Sequence, residues 1–167
     1  MISKGLIDDV RPGLVIAGFF LLFGISMGIV FGLFEDDIKA IVNAGVDAYP
    51  LMHTSDPNAK AKIFRWWQRA HFHGTGIGAF TMALISVVAI SNLKPKMKTA
   101  ASMLIGMGGL YAVSWLVMAI KAPAIGRGAA HHLVSVHAIV SVSIGCLLLG
   151  MGLLFSSIIF GWFSEKH

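Results

Sequence analysis

The sequence is poor in charged residues and almost free of cysteine. Only 13% of its 167 residues are Asp, Glu, Lys or Arg, and 56% are hydrophobic, whereas a soluble domain carries about 25% charged residues. A chain of this composition cannot cover its surface with polar side chains. It is therefore not an ordinary soluble domain, and we expect an integral membrane protein in contact with lipid. The one cysteine, Cys146, cannot form a disulfide within the chain.

Acidic residues are missing from every long apolar stretch. Without a buried carboxylate, neither a Ser-His-Asp hydrolase nor a carboxylate-based proton transporter is indicated, and we expect no independent catalytic activity. The net charge of +5 comes from basic residues that flank the apolar stretches. Such flanking positions are typical of membrane topology signals, so no nucleic-acid partner is expected.

Four uncharged stretches predict four membrane-spanning helices. Runs of 23, 24 and 22 uncharged residues follow Arg11, Arg69 and Lys98, and a run of 37 follows Arg127. One crossing needs about 20 residues. We therefore expect an all-α fold, a four-helix transmembrane bundle that forms a single domain over residues 1–167. The expected spans are about 12–34, 67–92, 99–121 and 131–160.

The connections between the spans predict an orientation. The connection at residues 92–98 carries three lysines and no acid, which predicts a cytoplasmic position. With four spans, both termini are then cytoplasmic, and we expect the plasma (inner) membrane of a bacterium or archaeon. The connection at 35–65 lies on the outer side. Its 36–49 segment has apolar residues at helical spacing, which predicts a short amphipathic helix on the outer surface.

Five of the seven histidines gather at the predicted outer level of the membrane. Two follow Arg69 at the start of the second span, and three follow Arg127 at the start of the fourth. A single histidine at an interface usually bonds only to water, headgroups or backbone. Five at one level favour a cofactor or metal site, because polar residues in a membrane are costly and usually face the bundle interior. The five are His71, His73, His131, His132 and His137.

Helical geometry selects among these histidines. His71 and His73 lie about 200° apart around their helix, so they cannot both face one partner. His73 is the deeper of the two, and the glycines after it let a neighbouring helix or a flat ligand approach closely. They are Gly74, Gly76 and Gly78. We favour His73 and His137 as a facing pair, with His71, His131 and His132 as the next choices.

Neutral imidazoles from two helices can hold one haem iron as axial ligands. With the glycines beside them, these histidines resemble small four-helix membrane b-type cytochromes and the haem-bearing membrane anchors of respiratory dehydrogenases. The resemblance covers most of the chain at the level of architecture. It implies one haem b on His73 and His137, with Arg69 and Arg127 near its propionates. The sequence has no C-x-x-C-H motif, which excludes covalent attachment of a haem.

The third span adds further candidates. Lys121, together with Arg127, is placed to bind a haem propionate or a quinone headgroup, although a lysine at a span end often only reaches toward water. Tyr111, Ser114 and Trp115 are expected to line the bundle interior.

The expected function is electron transfer through a b-type haem near the outer face. The protein would be a subunit of a larger respiratory or redox membrane complex, linking a quinol or another membrane subunit to an outer-side redox protein. Copper or zinc on the same histidines is an alternative, and would need three or four ligands at one point. The other alternative is an accessory subunit that binds no cofactor and packs against a larger membrane enzyme.

Overall fold

The predicted all-α fold is confirmed by a computed structural model, which describes residues 4–165. Two short 3-10 helices, Pro50–His53 and Met107–Gly109, accompany the α-helices. The α-helices are α1 Lys4–Asp8, α2 Arg11–Ala48, α3 Ala59–Ile90, α4 Pro95–Gly106, α5 Leu110–Ile125, α6 Arg127–His131 and α7 Val134–Phe160.

Within the described residues, four helical segments are long and apolar enough to cross a membrane, as the uncharged stretches predict. They are α2, α3, the continuous segment Pro95–Ile125 and α7. The segment Pro95–Ile125, here called the third span, comprises α4, the second 3-10 helix and α5. Large apolar side chains such as Val15 and Leu148 are more than 60% exposed on the outside of these helices, which suits a lipid environment.

The third span is the centre of the bundle. It packs against α2, α3 and α7, whereas α7 packs chiefly on the third span and has little or no direct contact with α3. The most extensive interface joins α2 to α3. Ser143 of α7 donates a hydrogen bond of 2.7 Å to the carbonyl of Gly108, inside the 3-10 segment, where the regular α-helical bonding is interrupted.

The two ends of the bundle differ in character. At the end that we call the lysine end, residues 91–98 lie beside both ends of the described chain. Leu93 pairs with Ser164, and the Thr99 hydroxyl donates to the carbonyl of Asp9 at 2.8 Å. The opposite end, here called the histidine end, consists of residues 49–58 and 126–133. Both ends of the described chain therefore lie on the same side of the spans.

The separate surface helix predicted at 36–49 is not confirmed. The segment is helical, but it continues the first span as far as Ala48, with non-helical backbone angles only at Phe34 (φ −131°, ψ 27°). Part of its apolar stripe turns inward, where Val42 and Val46 are buried in a core with Ile63 and Met118, whereas Ile41 is 68% exposed. The helical spacing of apolar residues thus covers neighbouring helices on one side of the segment.

Helices α2 and α3 extend past the predicted span limits at the histidine end. Helix α3 has 32 residues, or ~48 Å at 1.5 Å per residue, against a hydrocarbon thickness of about 30 Å. It begins at Ala59, eight residues before the predicted start of the second span, and α2 continues to Ala48. Helix α7, in contrast, begins at Val134, three residues inside the predicted fourth span. Helices α2 and α3 are therefore longer than one membrane crossing requires.

Candidate functional site

His71 and His73 contact different neighbours, as their spacing predicts. His71 uses Nδ1 to donate to the carbonyl of Gly24 at 2.7 Å, across the interface with α2. His73 uses Nδ1 to donate to the carbonyl of Arg69 on its own helix at 2.8 Å. In each neutral ring with this hydrogen bond, Nε2 is left as the free acceptor.

His73, on α3, packs against two aromatic side chains of the third span. Its ring stacks on Trp115, with centroids 5.5 Å apart and planes at 28°, and lies 5.2 Å from Tyr111. The guanidinium of Arg69 lies 4.7 Å from the centre of the Trp115 ring, a cation–π distance. Arg69 and His73, one helical turn apart on α3, therefore both contact Trp115.

The glycines after His73 serve mainly to join two helices. A Cβ at Gly74 would lie 2.8 Å from the Cα of Gly24, and one at Gly78 would lie 2.8 Å from the Cα of Leu21. Both contacts are to the backbone of α2, so these positions allow close approach of α2 and α3. Gly76 has nothing within 4 Å of its Cβ position. The glycine run therefore does not form the wall of a slot for a flat ring.

Three histidines cluster at the junction of α6 and α7. The ring centroids of His131, His132 and His137 lie 5.3 to 6.3 Å apart. The rings of His132 and His137 are nearly parallel, at 21°, so their in-plane nitrogen lone pairs do not converge on one point. All three side chains are exposed.

A small cavity of about 150 Å³ lies between α5 and α7. We call it the α5–α7 cavity. The indole Nε1 of Trp115 is buried and has no hydrogen-bond partner within residues 4–165, and Ser114 is buried in the same region, as expected. The lining residues combine aromatic, imidazole and apolar side chains: Tyr111, Ser114, Trp115, Met118, His131, Val136, His137 and Val140.

A second cavity, of about 610 Å³, lies at the histidine end. We call it the end cavity. Asp56 links two cations on its wall, since it accepts from Lys62 at 2.8 Å and also forms an ion pair with Arg127. The guanidinium of Arg127 lies 5.0 Å from the centre of the Trp66 ring. The hydrogen bond from Lys62, with Arg127 adding to it, lowers the pKa of Asp56 below its ordinary value, so this carboxylate is ionised at neutral pH.

His131 lines both cavities. It therefore lies where a group in the α5–α7 cavity comes nearest to the polar end of the protein. His53 also lines the end cavity and is 8% exposed. Its Nε2 donates to the carbonyl of Pro123 at 2.8 Å, which ties the 49–58 connection to the last turn of α5.

The residues present do not fit a haem held between His73 and His137. Helices α3 and α7 meet through the third span, and the side chains packed on His73 are Tyr111 and Trp115. His137 lines the α5–α7 cavity, and a cavity of about 150 Å³ is far too small for a porphyrin. The sequence-based prediction of a haem on this pair stays a prediction without geometric support.

Two further predicted site residues, Arg127 and Lys121, lie in different surroundings. Arg127 lines the end cavity, whereas Lys121 is exposed and lines neither cavity. In the described part of the chain, no group of three or more His, Cys, Asp or Glu side chains is arranged to hold a metal ion. The copper or zinc alternative therefore gains no geometric support.

Sequence reasoning gave no role to three residues of the end cavity. Asp56 and His53 lie in a connection that has no regular spacing, and Trp66 lies among basic residues near the start of α3. The sequence does indicate an ion pair for Asp56, because Asp56 is the acid nearest to the basic residues at the start of α3. No local pattern indicates that Arg127, 71 residues later, completes the ion-pair group.

Comparison of the chain with protein-family models, with curated proteins and with solved structures finds no match.

Proposed function

We propose that the protein is an integral-membrane redox subunit that binds the single-ring headgroup of a quinol or quinone in the α5–α7 cavity. The observation that carries the proposal is the buried Nε1 of Trp115, a donor without a partner among the described residues, on a side chain that lines this cavity. A buried donor that lacks an acceptor costs about 1–3 kcal/mol. A ligand carbonyl that accepts this hydrogen bond would recover that cost.

The size and lining of the cavity favour a ring with polar groups at its edge. A void of about 150 Å³ can hold one benzene ring, and this cavity has a similar volume. Met118, Val136 and Val140 supply apolar walls for the ring faces, and His137 adds a second polar side chain. A quinone carries two carbonyl oxygens on one planar ring, and its quinol carries two hydroxyls. Such a headgroup matches an apolar pocket with few polar groups.

The position of His131 supports a role in redox chemistry. Quinone takes up two electrons from a redox partner and two protons to become quinol, so a binding site needs a group that can exchange protons with water. His131 lines the α5–α7 cavity and also the polar end cavity. Imidazole has one ring nitrogen that accepts a proton and one that donates it, and His131 is therefore the group that we assign to this exchange.

The proposed setting follows from charge and topology. The lysine end carries Lys94, Lys96 and Lys98, which supports a cytoplasmic position for that end and for both termini. The histidine end then faces the outer side of a bacterial or archaeal plasma membrane. The electron acceptor or donor would be a redox centre on another subunit of a membrane complex or on an outer-side redox protein.

A binding experiment with two matched tryptophan variants tests the proposal. Purified full-length protein in detergent is titrated calorimetrically with a short-tailed benzoquinone. Trp115→Phe keeps an aromatic ring but removes the N–H, and should weaken binding about ten-fold. Trp67 also has a buried Nε1 without a partner but does not line the cavity, so Trp67→Phe should bind like wild type.

Two results would overturn the proposal: no saturable binding of the quinone, or equal weakening by Trp67→Phe. An optical spectrum and metal analysis of the same preparation distinguish the alternatives. A stoichiometric low-spin haem lost on His73→Ala or His137→Ala would support the b-type cytochrome instead. Stoichiometric copper or zinc would support a histidine metal site. A protein that binds none of these ligands would be explained best as an accessory subunit.

A further inference from the structure

The end cavity carries an excess of positive charge that the quinone proposal does not use. Its wall holds Lys62 and Arg127 against one carboxylate, Asp56. The imidazoles of His131 and His132 add donors without adding negative charge. With Asp56 shared between the two cations, the wall keeps a net charge of +1 before any histidine is protonated.

The cations of the end cavity are held in place by contacts within the protein. Arg127 is fixed by its ion pair with Asp56 and by stacking on the buried ring of Trp66. Its Nε is buried and has no partner in the part of the chain that the structure describes, and its side chain is 28% exposed. A cation held in this way loses little further conformational entropy when an anion binds.

The surroundings of the end cavity indicate an amphiphilic ligand. Leu51 and Met52, in the 3-10 helix Pro50–His53, are 80% and 54% exposed, and Val134 at the start of α7 is 84% exposed. Met52 itself lines the cavity. An exposed apolar side chain, Met52, therefore lies in the wall of the cationic recess, and Leu51 precedes it in the same 3-10 helix. Lipid headgroups lie at the ends of membrane-spanning helices.

We propose that the end cavity binds the phosphate group of an anionic phospholipid, with Lys62 and Arg127 as its cationic contacts. Arginine and lysine are the usual partners of phosphate oxygens, and basic recesses between membrane helices suit lipid headgroups. The cavity volume of about 610 Å³ admits a phosphodiester with a small polar headgroup. The exposed apolar residues at the rim would contact the acyl chains. This site is distinct from the α5–α7 cavity and does not depend on quinone binding.

The test compares lipids with purified full-length protein in a neutral detergent. Melting temperature is followed against added phosphatidylglycerol, phosphatidylcholine or inorganic phosphate, since a ligand of the folded state raises the melting temperature. Phosphatidylglycerol should stabilise the protein in a saturable way, and phosphatidylcholine, whose headgroup carries a compensating cation, should do so far less. If inorganic phosphate raised the melting temperature and phosphatidylglycerol raised it no further, the proposal that the bound phosphate belongs to a lipid would be wrong.

Variants assign the effect to the end cavity. Lys62→Gln leaves the ion pair of Asp56 with Arg127 in place, and should weaken phosphatidylglycerol binding about ten-fold. Arg127→Gln should do the same, and Lys62→Gln decides alone if Arg127→Gln does not fold. Lys60→Gln is the matched control, because Lys60 lies at the same end, pairs with Asp47 and does not line the end cavity. Equal weakening by Lys60→Gln would mean a general charge effect and would overturn the proposal.

Discussion

At the scale of single residues, the angular positions of the histidines could be predicted and their partners could not. Two positions along a helix separate side chains by about 200°, and His71 and His73 indeed contact opposite neighbours. The partner of His71 is a backbone carbonyl, that of Gly24. Every residue carries such a carbonyl, so no sequence pattern marks this one. The stacking of Arg69 and His73 on Trp115 likewise depends on how α3 meets the third span.

The ion-pair group around Asp56 predicts a pH dependence of stability. The pKa of this carboxyl is lowered from its ordinary value of 3.8, chiefly by Lys62. Its stabilising contribution is therefore complete above about pH 4 and is lost as the pH falls through the lowered pKa of the folded state. Asp56→Asn should lower the melting temperature at pH 7 and reduce the loss of stability between pH 4 and pH 2.

Thermal unfolding of the wild-type protein and of Asp56→Asn in detergent, measured at intervals from pH 7 to pH 2, checks this prediction. Asp47→Asn is the control, because the Asp47–Lys60 pair is largely exposed and exposed pairs contribute little. If Asp56→Asn and wild type lost stability in parallel below pH 4, the assigned role of Asp56 would be wrong.

At the scale of helices, the number of spans follows from the charges, whereas helix limits and interfaces depend on packing. The four uncharged runs match the four long apolar helices. Their limits differ because α2 and α3 continue beyond the membrane thickness and stabilise each other there. From the sequence, the glycines of α3 fit either close packing against a helix or contact with a ligand. The structure distinguishes these roles, because α3 crosses α2 at Gly24 and Leu21.

The α2–α3 crossing predicts unequal effects of substitutions in the glycine run. A side chain at Gly74 or Gly78 would meet backbone atoms of α2 at 2.8 Å, and overpacking of this kind costs typically about 1–3 kcal/mol. Gly74→Val and Gly78→Val should therefore lower the melting temperature clearly. Gly76→Ala should leave it unchanged or raise it, because that position meets no neighbour. Equal effects at all three positions would contradict the assignment of Gly74 and Gly78 to the α2–α3 crossing.

At the scale of the whole molecule, the even number of spans predicts that both chain ends lie on one side, and the described ends do lie together at the lysine end. We propose that the lysine end faces the cytoplasm, because residues 94–98 carry three lysines and basic residues are enriched in cytoplasmic connections.

Cysteine labelling in intact cells checks this topology. Cys146 is first replaced by serine, so that each introduced cysteine is the only thiol. A cysteine at Asn58, at the histidine end, should react with an impermeant reagent added outside. A cysteine at Lys96, at the lysine end, should react only after the membrane is opened. The reverse pattern would invert the proposed orientation, and labelling of both positions from one side would rule out an odd number of crossings between them.

The central claim, a quinone headgroup between α5 and α7, is tested most directly by photoaffinity mapping. The full-length protein in membranes is illuminated with an azido-benzoquinone, and the labelled peptides are identified by mass spectrometry with and without excess unlabelled quinone. The account predicts competed label within residues 111–118 and 131–140. Label confined to the lipid-facing side of α2 or to the lysine end, or label that excess quinone does not reduce, would contradict it.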